Sequence, residues 1–142
     1  KKFIGYEKGV NFGGWLSQCS EYSREHYNAF ITFASVDWQV FQNEDGSFIE
    51  EGFGYVDNAI NWAKQSGLNL ILDLHKTLGY SFDAGEDKNN FFTDEKLQAH
   101  FYALWEQFAK RYAKREATLS FELLNEVTSP SYSASWNKIS AK

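Results

Sequence analysis

Ala117-Thr118-Leu119-Ser120-Phe121-Glu122-Leu123-Leu124-Asn125-Glu126 is apolar and β-prone, holds no Gly or Pro, and stops abruptly at two polar residues. It reads as a short buried strand. Alternation along such a strand places Glu126 on one face with Leu124, Glu122 and Ser120, and sets Phe121, Leu123 and Asn125 on the other. A carboxylate at the carboxyl end of a strand, in an α/β context, stands where these folds carry their chemistry. The plainer alternative is that Glu126 only opens the loop to the next helix.

Working outward, Leu68-Asn69-Leu70-Ile71-Leu72-Asp73-Leu74-His75 repeats the pattern of a strand with a polar end. Its four Leu face one way, towards covering helices, and Asn69, Ile71, Asp73 and His75 face the other. A helix over 51–66 precedes it, with Phe53, Val56, Ile60 and Ala63 at the 3.6 period and Gly67 as its stop. Helix, single Gly and buried strand together form the αβ joint of a parallel sheet. A second helix runs from a cap at Thr93 or Asp94 to about residue 114, with Leu97, Phe101, Leu104, Phe108 and Tyr112 as its apolar stripe. Residues 31–40 suit a strand ending near Asp37-Trp38, and residues 43–47 a turn. Val10 to Phe12 suits another short strand, turned by Gly13-Gly14, before a polar loop over 17–28. The long segment 76–92 and the polar segment 128–135, which holds the only proline, are loops; a further helix opens at Ser135.

Composition narrows the function. The 142 residues suffice for one domain, 1–142, with a real core. Aromatics reach 18%, with five Trp, eight Tyr and thirteen Phe; most of the Phe belong in the core, and flat rings also suit a sugar cleft. The net charge of −5, without a basic cluster, argues against nucleic acid and anionic membrane as partners. No apolar run spans a membrane. Cys19 stands alone, so no internal disulfide forms. No signal peptide stands at the start, and extracellular and cytoplasmic locations both stay open. Metal-ligand spacing, a phosphate-binding glycine loop and a nucleophile elbow are all missing, so no cofactor is expected and carboxylate chemistry remains. His75 and Asn125-Glu126 end two strands on one rim; a lone histidine there is more often a hydrogen-bonded core or rim residue than a catalyst, and the functional reading gains weight from Glu126 and from Trp15, Trp38 and Trp136 on the same side.

Gly9-Val10-Asn11-Phe12-Gly13-Gly14-Trp15-Leu16, Leu72-Asp73-Leu74-His75-Lys76 and Phe121-Glu122-Leu123-Leu124-Asn125-Glu126 resemble, in order and spacing, three blocks of glycoside hydrolase family 5, the cellulase-like family. The resemblance implies a TIM (β/α)8 barrel and retaining hydrolysis of a β-linked glucan, cellulose or a β-1,3/1,4-glucan. It makes Glu126 the acid/base, gives Asn125 the sugar beside the scissile bond, and has His75 line that subsite. A retaining site needs one carboxyl that protonates the leaving oxygen and then deprotonates water, facing a second that attacks. Trp15, Trp38 and Trp136 are the candidate stacking platforms, at least one of them exposed.

The departures shape a further expectation. A full barrel takes ~250 residues, so this chain corresponds to about half of one, ending after what would be strand four, with the nucleophile-bearing half outside it. Between Ile31 and Asp37, where the family places a helix and an arginine-bearing strand, this sequence has only Thr32-Phe33-Ala34-Ser35-Val36. Besides hydrolysis, two other roles fit: a sugar-binding module that does not cleave, and a half-barrel that closes its sheet by self-association or with a complementing chain. Open sheet edges and an uncovered inner face favour a homo-oligomer.

Overall fold

The helix-to-strand joint at Gly67 fixes the direction of the sheet. In the computed structural model, which describes residues 35–82, 89–113 and 119–142, helix α1 (Glu50–Gln65) ends just before it. Gly67 takes φ +66, where a side chain would be strained. The amide of Gly67 donates to the Lys64 carbonyl at 3.2 Å and that of Leu68 to Ala63 at 2.8 Å, the double closure of a Schellman motif. That closure takes up the Leu68 amide, so strand β2 begins later, at Leu70, and runs to Lys76. Leu68, expected among the buried leucines, is accordingly 53% exposed.

Strands β1 (Ser35–Asp37), β2 and β3 (Leu119–Glu122) form one parallel sheet in sequence order. Val36 pairs with Leu74, Leu72 with Phe121, and Asp73 with both Ser35 and Glu122. Leu70, Leu72 and Leu74 are buried on the helix side, while Ile71 between them is 45% exposed, as the alternation of their side chains requires. Ile71, Asp73 and His75 on β2, with Ser120 and Glu122 on β3, thus share the inner face.

Helix α2 (Glu95–Tyr112) starts where the Asp94 carboxylate accepts from the Lys96 amide, with Lys110 and Arg111 in its last turn, a capped and charge-matched helix. Phe101, Leu104, Phe108 and Tyr112 are its buried stripe. Phe108 lies at the centre of the aromatic core, 4.9 Å from Phe41 and 5.7 Å from Phe53, ring to ring, distances at which edge-to-face rings attract. Arg111 joins the two helices by lying 4.0 Å over the Phe53 ring while donating to Glu50. The 3-10 turn Pro130–Tyr132 leads into α3 (Ser133–Ser140), two residues before the sequence pattern placed its start.

Strand β3 is shorter than its composition suggested. It stops at Glu122, and residues 123–126 bend and turn. The cause is a competing partner: the Trp105 indole Nε1–H on α2 donates to the Leu123 carbonyl at 3.1 Å. The alternation fails beyond that point. Leu124 is buried, Leu123 is not, and Asn125 turns to the inner face rather than joining Phe121.

Candidate functional site

The polar ends of β2 and β3 meet. After the bend, the Asn125 amide donates to the Leu74 carbonyl at 3.0 Å, which returns the chain to the sheet one residue from His75. The Asn125 Nδ2 then lies 3.5 Å from His75 Nε2, and the other ring nitrogen, Nδ1, lies 2.9 Å from Asp73 Oδ2. Asp73 and His75 are two apart on one strand, the spacing that points both side chains to the same face. The Asp73 carboxylate beside it, by hydrogen bond first and by charge second, raises the His75 pKa above the ordinary imidazole value, with partial burial opposing. Glu122, in register with Asp73, has its carboxyl raised by desolvation and then by the Asp73 charge, while His75 pulls it down. The inner face thus carries a row of coupled acids around one imidazole.

Glu126 follows Asn125 directly. It is exposed and is, among the described residues, the one non-glycine with positive φ, +51. Its carbonyl accepts the Tyr80 hydroxyl at 2.7 Å. Tyr80 itself is 4% exposed, edge-on to Phe92 at 5.1 Å and to Tyr132 at 6.2 Å, and Phe92 stacks on Tyr132 at 4.1 Å. The loop after β2 and the segment after β3 are therefore clamped together through three rings. At the end of β1, Asp37 is fully buried, with the Lys76 Nζ 3.9 Å from it.

His75, Asn125 and Glu126 are thus brought to one rim. Trp38 and Trp136 are not. Trp38 is 7% exposed and forms part of the core, because the 3-10 turn after β1 tucks it under the sheet; the expected exposed face is not there. Trp136 on α3 is half-buried and edge-on to Phe101 at 6.2 Å, a packing ring. Trp15, Cys19 and the glycine block around Gly13 lie outside the described residues. Tyr80 gave no signal as a site residue, since its partner is 46 positions away. Asp73 had one: the spacing of two from His75. Among the described residues no cluster of three metal-ligating side chains occurs, and no helix is long and apolar enough to cross a membrane.

A parallel α/β sheet with helices on its outer face and polar strand ends on one rim defines a portion of a TIM barrel of the glycoside hydrolase kind. The chain belongs to glycoside hydrolase family 5: the sequence profile described as Cellulase (glycosyl hydrolase family 5) matches residues 17–142. It is 41% identical to Cellodextrinase A of Ruminococcus flavefaciens over 154 residues, covering 98% of this chain and 46% of that protein. It is 33% identical to Endoglucanase C of Acetivibrio thermocellus, covering 96% of this chain and 44% of that one. A crystal structure of a glycoside hydrolase superposes with a TM-score of 0.58 at 30% identity, covering 65% of this chain and 29% of its own. The chain spans about half the length of the curated relatives it matches. The stretch of 154 residues shared with the cellodextrinase exceeds the 142 of this chain, so the chain is the shorter of the two within it.

Proposed function

We propose that the rim of His75, Asn125 and Glu126 binds a β-linked glucan and that Glu126 is the acid/base of its retaining hydrolysis. The observation that carries the reading is the meeting of Asn125 with His75 across two strand ends, which sets the residue after Asn125 at the mouth of the inner face. Glu126 is exposed there, free to reach a glycosidic oxygen. In the first step its protonated carboxyl gives a proton to the leaving oxygen as the sugar passes to a second carboxyl; in the next it takes a proton from the incoming water. Asn125 and His75 hold the sugar on the glycone side of the bond. The reaction calls for that second carboxyl about 5 Å from Glu126, and a substrate complex would reveal its identity. Relatives named as a cellodextrinase and an endoglucanase support a β-glucan as the ligand class.

Glu126→Gln keeps the shape of the side chain and removes its ability to cycle a proton. Hydrolysis of β-glucan oligosaccharides should fall by at least about a hundredfold while calorimetry shows binding preserved. Full hydrolysis by the purified variant would remove Glu126 from the role.

A further inference from the structure

We propose that Asp73 is a positioning residue: it fixes the His75 imidazole with its proton on Nδ1, and through that ring it sets which end of the Asn125 carboxamide faces the sugar. The inference deepens the proposed function, on which its account of the sugar rests.

The argument is one of donors and acceptors. An ionised carboxylate only accepts hydrogen bonds, so the 2.9 Å contact between Asp73 Oδ2 and His75 Nδ1 requires the proton on Nδ1. A neutral ring so fixed has a bare Nε2, an acceptor. The group facing it at 3.5 Å is Asn125 Nδ2, the only end of the carboxamide able to donate; Oδ1 in that place would set two acceptors against each other. The oxygen of Asn125 is therefore turned away from His75 and left as an acceptor for a sugar hydroxyl. Polarity passes from Asp73 to His75 to Asn125 without any of the three altering its backbone.

Protonation reverses the last link. With both ring nitrogens donating, Nε2–H needs an acceptor, and the carboxamide must rotate to bring Oδ1 to it, presenting an NH2 group to the sugar. The charged and titratable groups that bear on the ring are Asp73 and Lys76 on its own strand, Asp37 on β1 and Glu122 on β3. Three of the four are acids, so their combined field favours the imidazolium. The raised pKa of His75 agrees with that balance and places the reversal at a higher pH than for a free imidazole.

Long-range 1H–15N correlation spectra of the histidine rings in this chain test the idea, with His75 identified by the loss of its signals in His75→Gln. Above its titration His75 should be in the Nδ1–H form. In Asp73→Asn the new carboxamide can donate to Nδ1, so the Nε2–H form should become the major one. The proton affinity of His75 should also fall about tenfold, the effect of losing one charge-assisted hydrogen bond. An Nε2–H tautomer in the unmodified chain would overturn the proposal whether or not the variant folds. So would an Asp73→Asn chain, folded by its amide spectrum, with the tautomer and titration of His75 unchanged, the result expected if Asp73 merely filled the inner face. Neither readout uses sugar or turnover, so a failure of the Glu126 assignment and a failure of this one are separately visible.

Discussion

Two glycines in the first turns of α1, Gly52 and Gly54, should respond to alanine with opposite signs. Each gains about 0.4–1 kcal/mol from alanine through helix propensity and a less free unfolded chain. A Cβ at Gly54 meets nothing within 4 Å, so Gly54→Ala should keep the whole gain. A Cβ at Gly52 lies 2.1 Å from the Val40 carbonyl oxygen, 2.8 Å from its carbon and 3.1 Å from a Phe41 ring carbon. Ordinary contact begins at 3.4 Å, so the helix and the turn after β1 must part by about 1.3 Å, against a backbone atom that cannot rotate away as a side chain can. Overpacking of this kind costs about 1–3 kcal/mol or more, which outweighs the propensity gain. The shared propensity gain cancels, so the two variants should differ by the overpacking cost, about 1–3 kcal/mol or more, or roughly 3–10 °C in melting temperature for a chain of this size. Urea unfolding followed by far-UV circular dichroism measures the difference. A Gly52→Ala chain as stable as Gly54→Ala would show that α1 does not press on Val40 as the structure has it.

Tyr80→Phe removes the hydroxyl that holds the Glu126 carbonyl and keeps the buried ring, so stability should fall by about 1 kcal/mol. Amide exchange of residues 124–127 should quicken, and unchanged exchange there would mean that the bond does not hold the turn. The pH dependence follows from two raised pKa values. The pairing of charged His75 with Asp73 stabilises the fold in full below the ordinary imidazole value of 6.5, and the contribution is lost as pH rises through the raised folded value. Glu122, an acid raised above 4.5, also binds its proton more tightly when folded, so stability from it again declines as pH rises, in a lower window. Urea midpoints measured across pH 4 to 8 should show the upper decline reduced in Asp73→Asn; an identical profile would mean that the pair is not coupled to folding.

The elements that the sequence disclosed are those fixed by short-range chemistry. The period of Phe53, Val56, Ile60 and Ala63, the stop at Gly67 and the cap at Asp94 each act within a few residues, and α1 and α2 appear within two residues of the ranges read for them. Two of the three blocks that carry the family resemblance, 72–76 and 121–126, fall at the ends of β2 and β3, and β2 keeps the predicted faces from Leu70 onwards. What could not be read depends on distant partners. Trp38 looked like a rim ring because nothing local shows that the turn after β1 folds it inward. Nor does any local feature show that α1 packs its backbone on Val40, although a glycine amid good helix formers was the available hint. The alternation that set Asn125 opposite Glu126 failed for the same reason, since the strand carries no mark of an indole waiting on α2.

That indole is one of three anchors on the bend that ends β3, and together they account for the position of Glu126. The Leu123 carbonyl is taken by Trp105 of α2, the Asn125 amide by Leu74 of β2, and the Glu126 carbonyl by Tyr80 of the loop after β2. Three backbone groups within four residues are thus claimed by three different parts of the chain, in directions that no continuing strand could satisfy. A non-glycine residue at φ +51 costs on the order of 1–2 kcal/mol, and such a conformation persists only where its surroundings determine it more than once. Here they do: each hydrogen bond contributes about 1 kcal/mol, so the three together exceed the strain, whereas any one alone would only balance it. The bend is therefore held by its neighbours against its own preference, and it turns the chain so that Asn125 faces the imidazole while the next carboxylate stands clear of the sheet.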